Sequence, residues 1–170
     1  MASPILYLVP ADFDFSQFEL IEPRFLNWDR SFVSGTHSPL FRVKHFLHTQ
    51  RKTLILTRVH FLEQALGPPG HVHGGATAGL IDETMGIAVW HQSLMCVTQK
   101  LEVHYSKMLK LQEEAFVFTE IVATHEKTVE VHATIYGNEK TPHVSAQGVF
   151  HRLRPEQLNK LKALDVGFSK

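Results

Sequence analysis

Two adjacent acids, Asp82 and Glu83, are the residues in this sequence best placed to do chemistry. From Ala76 to Trp90 nearly every other residue is small or hydrophobic. A helix of that composition is normally enclosed by the rest of the protein. An unpaired carboxylate there is costly, because desolvation penalises its charged form. The pair must therefore reach water at a rim or act in a cleft. In a cleft, a carboxylate can activate water as a general base or attack an electrophile itself.

Helical spacing separates the two acids. Gly75, Gly79 and Gly86 share a stripe with Asp82 when residues 75 to 90 are wound into a helix. Each interior glycine costs about 1 kcal/mol relative to alanine, so the stripe needs a reason. Glycines along one stripe let a backbone or a ligand come close. Tight helix-on-sheet packing, with Asp82 hydrogen-bonded to backbone groups, is the alternative at this point. Glu83 sits about 100° around the helix from Asp82, off the stripe, and reads as a rim or interface acid paired with a basic group.

The entrance to this helix adds to the chemistry. Gly74-Gly75 at a helix start presents free N–H groups and the positive end of the helix dipole. Such donors suit a developing oxyanion, and a carboxylate about two turns further in could attack or activate water.

Composition narrows the possible partners. The 170 residues suffice for one domain with a substantial core. Lys+Arg and Asp+Glu both number 17, for a formal net charge of zero, so no field of either sign favours nucleic acid or an anionic membrane. No window approaches the roughly 20 apolar residues of a membrane span. The opening MASPILYLVPADFDF lacks the basic residues of a signal or transit peptide. The single Cys96 leaves no internal disulfide and favours a reducing compartment, with the cytoplasm as the expectation. Of the 12 histidines, only His71 and His73 look like a local ligand pair. No Cys, Asp or Glu joins them at metal spacing, so no metal is expected.

Positioning these residues requires a particular frame. The segments FRVKHFLH and KTLILTRVHF read as strands joined at Thr49-Gln50-Arg51. After the helix, CVTQKLEVHYS alternates, with Leu101, Val103 and Tyr105 opposite Lys100, Glu102 and His104. EAFVFTEIVATHE, VEVHATIY and HVSAQGVFHR give three more strands, with a turn at Gly137-Asn138. Short connections favour an antiparallel meander. A sheet with one long apolar helix must curl around it, an α+β layout. RPEQLNKLKAL then forms a short helix or tail from Pro155. Residues 1–38, rich in aromatics (Phe13, Phe15, Phe18, Phe25, Trp28, Phe32), read as an arm with a short helix laid on a domain spanning 39–152, and 153–170 complete the chain.

The stretch GPPGHVHGGATAGLIDETMG resembles the His-Gly-Gly signature of hotdog-fold acyl-CoA thioesterases, in their phenylacetate-pathway-like branch. An acid follows nine positions after the histidine, as Asp82 follows His73. The next strand, VTQKLEVHYSK, matches that branch's Val-Thr and alternating run ending in Tyr. The likeness runs through 39–152 in layout and is specific over 67–86 and 97–107.

The resemblance implies a hotdog fold, a curled antiparallel sheet around one central helix, and hydrolysis of acyl thioesters. Gly74 and Gly75 would offer N–H groups to the thioester oxygen, and Asp82 would be nucleophile or general base. Thr98 would orient the water or the carboxylate, reaching in from a second subunit, and His73 would brace the loop. It also implies dimers or tetramers, coenzyme A only as part of the substrate, and neither metal nor cofactor. Two departures stand out. No amide precedes the histidine closely, Gln64 being nearest. Strand parity puts Thr98 with Lys100 and Glu102, opposite Leu101, unless a bulge intervenes. Hydration or dehydration of acyl thioesters, which needs a His base beside a carboxylate, and non-catalytic acyl-CoA binding are the competing functions.

Overall fold

The β-branched and aromatic runs become strands because turns fold each one back beside a neighbour it can pair with. The computed structural model describes residues 14–23, 31–33, 35–137 and 141–166. Phe13, Phe25 and Trp28 of the arm, and Asn138 of the expected turn, lie outside the described residues. In chain order the elements are β1 (Phe18–Ile21), β2 (Phe41–His48), β3 (Leu54–Phe61), α1 (Gly74–His91), β4 (Cys96–Tyr105), β5 (Glu114–Thr124), β6 (Thr128–Tyr136), β7 (Pro142–Arg152) and α2 (Pro155–Val166).

All pairings are antiparallel in one seven-stranded sheet of order β1-β2-β3-β5-β6-β7-β4. The expected hotdog arrangement of sheet and central helix is the observed one. The arm carries a short 3-10 helix over Phe15–Gln17 and adds an edge strand that was not expected. Strand β4 also leaves the meander and pairs with β7 at the far edge. Its route back to β5 runs past the start of α1, where Val72 N–H donates to Leu109 O (2.9 Å) and Leu111 N–H to Gly70 O (3.0 Å).

The core lies between α1 and the inner face of the sheet. Leu80, Ile81, Met85, Ile87 and Val89 pack against Val59, Val117, Val131 and Ile135, all essentially inaccessible. Gly148 lets β7 approach the helix, since a Cβ there would lie 2.6 Å from Met85 Sδ. On the outer face Leu54, Leu56, Phe118 and Tyr136 form a second, smaller cluster. Phe15 of the arm covers it edge-on, with ring centroids 5.8 Å from Phe46 and 5.9 Å from Phe116. Phe15 and Phe18 of the arm thus pack on the outer face of the sheet.

Candidate active site

Helix α1 is enclosed on one side only. Thr77, Leu80, Ile81, Thr84, Met85 and Ala88 are buried, whereas Gly79, Asp82, Glu83, Gly86 and Trp90 line a cavity of about 520 Å³. The glycine stripe is the open face. Gly86 has nothing within 4 Å of where a Cβ would project, and Gly79 receives Val33, whose Cγ2 lies 3.5 Å from such a Cβ. Missing side chains on the helix become space beside the acid.

Asp82 has one hydrogen-bond partner among the described residues. Thr98 Oγ1 donates to Asp82 Oδ1 at 2.7 Å, and no donor to Oδ2 is found among the described residues. The contact depends on a β-bulge. Pairing with β7 runs Thr98↔Phe150 and then Lys100↔Val149, so Gln99 is the extra residue. One inserted residue reverses the alternation on its far side. Thr98 therefore shares the inward face with Leu101, against the parity that simple alternation implies. It also reaches the Asp82 of its own chain, where a reach from a second subunit was expected.

Glu83 departs from its expected place as well. It lines the same cavity as Asp82, and the hydroxyl of Ser31 donates to its Oε2. A basic partner was expected; the partner seen among the described residues is a serine 52 positions earlier in the chain. The rest of the cavity wall is apolar, from Phe32, Val33, Trp90, Cys96, Val97 and Phe150. Burial raises the pKa of the Cys96 thiol, against a smaller lowering by Arg152.

The helix start is built by a tight loop. Gly67 N–H donates to His71 O, His71 N–H to Pro68 O, and Gly70 takes φ +73°, which favours glycine. A Cβ on Gly67 would lie 2.6 Å from the Cα of His73. His73 N–H is tied to Ala65 O (2.8 Å), which sets the histidine at the N-cap of α1. There its Nδ1 accepts the Gly75 N–H at 2.9 Å. His73 thus holds the N–H of Gly75, the very N–H expected to meet a thioester. The N–H of Gly74 is not taken in this way. His71 turns its own Nδ1 to Pro69 O (2.8 Å), so the two histidines act on backbone groups of their own loop.

Tyr105, quoted in the sequence only as the end of a run, also holds this corner. Its hydroxyl donates to Gly74 O at 2.8 Å, and burial of the ring raises its pKa. Its ring carbon Cε1 would lie 3.7 Å from a Cβ on Gly74. Strand β4 therefore positions both ends of the site, through Thr98 at Asp82 and through Tyr105 at the helix start. Gln64 sits exposed on the 3-10 turn Glu63–Ala65 and makes no hydrogen bond to the site among the described residues.

Residues 69–141 match the family model described as Thioesterase superfamily. That stretch of the chain is similar to this family, and the sheet around its helix has the hotdog arrangement. Rat "Acyl-coenzyme A thioesterase THEM4" is 33% identical over 92 residues, which cover 54% of this chain and 40% of that relative; mouse THEM4 matches with the same figures. The match thus spans less than half the length of these curated relatives. Among solved structures, a hypothetical thioesterase from Streptococcus pneumoniae with coenzyme A superposes with TM-score 0.59 at 20% identity, over 66% of this chain and 85% of that one. Substituted forms of that protein have also been solved, one at an aspartate and one at a threonine sixteen residues later. The E. coli PaaI protein from the phenylacetic acid degradation operon superposes with TM-score 0.57 at 16% identity, over 60% of this chain and 74% of that one. At these identities the structures establish the fold. Among the described residues of the domain, no helix is long and apolar enough to cross a membrane.

Proposed function

We propose that this chain hydrolyses acyl-CoA or related acyl thioesters to a free acid and a thiol. The observation that carries the proposal is Asp82 held by Thr98 at the edge of an apolar cavity. With Oδ1 engaged by the threonine hydroxyl, Oδ2 is the basic or nucleophilic oxygen. As a base it takes a proton from water while the water oxygen bonds to the thioester carbon. Collapse of the tetrahedral intermediate expels the thiolate, which recovers a proton. As a nucleophile the same oxygen would displace the thiolate, which takes up a proton, to form an acyl anhydride that water then hydrolyses to the free acid and the Asp82 carboxylate.

The separation of the aspartate and threonine substituted in the pneumococcal protein equals that of Asp82 and Thr98. That protein and the THEM4 relatives are described as thioesterases. Hydratase chemistry is less well supported. His73, the histidine it would use, caps the helix with Nδ1 on Gly75 N–H and lies more than two turns from the carboxylate.

Helix geometry also favours a site shared between two copies. Gly74 and Asp82 are eight residues apart, about 12 Å along a helix axis, too far to act on one carbonyl. A second copy, with its helix running the other way beside the first, would bring its Gly74-Gly75 start to the first copy's Asp82. Strand β4 has a free edge beside the site, since it pairs only with β7 among the described strands, and such an edge invites pairing. The test of function is a thiol-release assay across short, medium, long and aromatic acyl-CoAs. Release from at least one class is expected, and no release from any would overturn the proposal.

A further inference from the structure

The cavity beside Asp82 owes one wall to a segment outside the matched 69–141 stretch. Val33, 8% exposed, lies in the gap left by Gly79 and fixes this segment to the helix. Ser31 donates to the Glu83 carboxylate, one residue along the helix from Asp82, and Val33 N–H donates to Ser31 Oγ at 3.1 Å. Two points of attachment thus bracket Phe32. The phenyl ring between them is 77% exposed and lines the cavity. The packing holds an aromatic side chain in water at the rim of an apolar pocket, although such a ring gains most when an apolar group covers it. At about 520 Å³ the pocket falls within the ~300–1,000 Å³ range of small-molecule sites, far more than an acetyl group needs.

We infer that residues 31–33 form the acyl-recognition wall of this site, held by the Ser31–Glu83 hydrogen bond, and that the substrates are thioesters of apolar acyl groups bulkier than acetyl. The inference rests on the proposed thioesterase reading and assigns its substrate class. Phe32 is the specificity residue, because it is the wall side chain with the most surface left to bury, 77% exposed against 44% for Val97. Glu83 and Ser31 are positioning residues that act through the segment. Gly86, whose absent side chain keeps the far end of the pocket open, makes room for the acyl group along the helix.

The test compares the parent with Phe32→Ala and Ser31→Ala on acetyl-, decanoyl- and phenylacetyl-CoA, reading KM and kcat separately. Phe32→Ala is expected to raise KM for the two bulky esters by about tenfold or more, the scale of lost apolar contact in a pocket. The kcat for each ester should stay within about twofold and the acetyl ester should be unaffected. Ser31→Ala should shift KM in the same direction by a smaller factor. Equal losses on all three esters, no change on any, or a parent that prefers acetyl-CoA would each overturn the inference. A parent that hydrolyses none of them would defeat the thioesterase reading. Calorimetric titration with the non-hydrolysable decanyl thioether of coenzyme A then decides the wall separately, through parent binding weakened by Phe32→Ala or its absence.

Discussion

The imidazole of His73 holds the N–H of Gly75 at 2.9 Å, so one residue of the signature caps another. An N-cap side chain contributes on the order of 1 kcal/mol, which is a few degrees of unfolding temperature for a domain of this size. His73→Ala is expected to lose that amount. His73→Asn, which restores a capping side chain, should recover most of it. Thermal unfolding of the three proteins checks this, and an alanine variant as stable as the parent would show the cap to be idle.

Gly75 faces the same imidazole from the other side. A Cβ there would lie 3.0 Å from His73 Nδ1, so Gly75→Val must push the cap aside and shift the N–H donors. A folded protein with turnover lowered by on the order of 100-fold is expected, the scale of one lost oxyanion donor. Circular dichroism and steady-state thiol release measure the two halves of that statement. Undiminished turnover in a folded Gly75→Val would make the Gly-Gly turn purely structural.

Acid stability should depend on a residue far from the site. His45 is 3% exposed, and burial pushes its pKa down to about 4 from an ordinary 6.5. Its Nδ1 meets Thr57 Oγ1 at 2.8 Å. Between these two values the unfolded chain binds a proton that the folded chain does not. Stability is therefore full above pH 6.5 and falls as pH drops towards 4, by up to about 3 kcal/mol. His132, lowered by burial against the opposing pull of Glu130 and Glu120, adds in the same direction. Urea unfolding from pH 7 to pH 4 should show a shallower decline for His45→Leu than for the parent. Parallel declines would remove His45 from the account.

Much of this architecture was legible in the chain because it is written locally. Strands β2 and β3 follow from β-branched and aromatic runs, β4 from period-two alternation and α1 from its small, apolar run, and each appears within a few residues of its expected bounds, as do β5 to β7. What escaped is nonlocal. The bulge at Gln99 leaves no mark in composition, yet it alone turns Thr98 towards Asp82. The place of β4 beside β7 depends on pairing across almost 50 residues of chain, and the Ser31–Glu83 contact spans 52. The helix period put Glu83 off the glycine stripe, but a cavity wider than one stripe takes in both acids. The family resemblance likewise implied His73 as a brace without revealing that it competes for Gly75 N–H.

A site shared between two copies makes a prediction that no single-chain site can meet. Asp82→Asn and Gly75→Val, each nearly inactive alone, should regain activity when unfolded and refolded together. Half of the dimers would then be mixed, each with one intact site, so about a quarter of parental activity is expected. Sedimentation must show more than the 19.3 kDa chain. No recovery on mixing, or a monomer at micromolar concentration, would assign the whole site to one chain.

The central claim is that Asp82 performs the chemistry and Glu83 does not. Initial rates of thiol release, at saturating acyl-CoA, test it most directly in four proteins. Asp82→Asn preserves shape and removes the reactive oxygen, so its rate should fall at least ~100-fold, the scale of a lost general base. Thr98→Ala, which frees Oδ1 from its 2.7 Å hydrogen bond, should fall between that variant and the parent. Glu83→Gln keeps an acceptor for Ser31 and should stay within about tenfold of the parent. A folded Asp82→Asn that releases thiol at the parental rate, or a Glu83→Gln that is inactive while Asp82→Asn is not, would contradict the account.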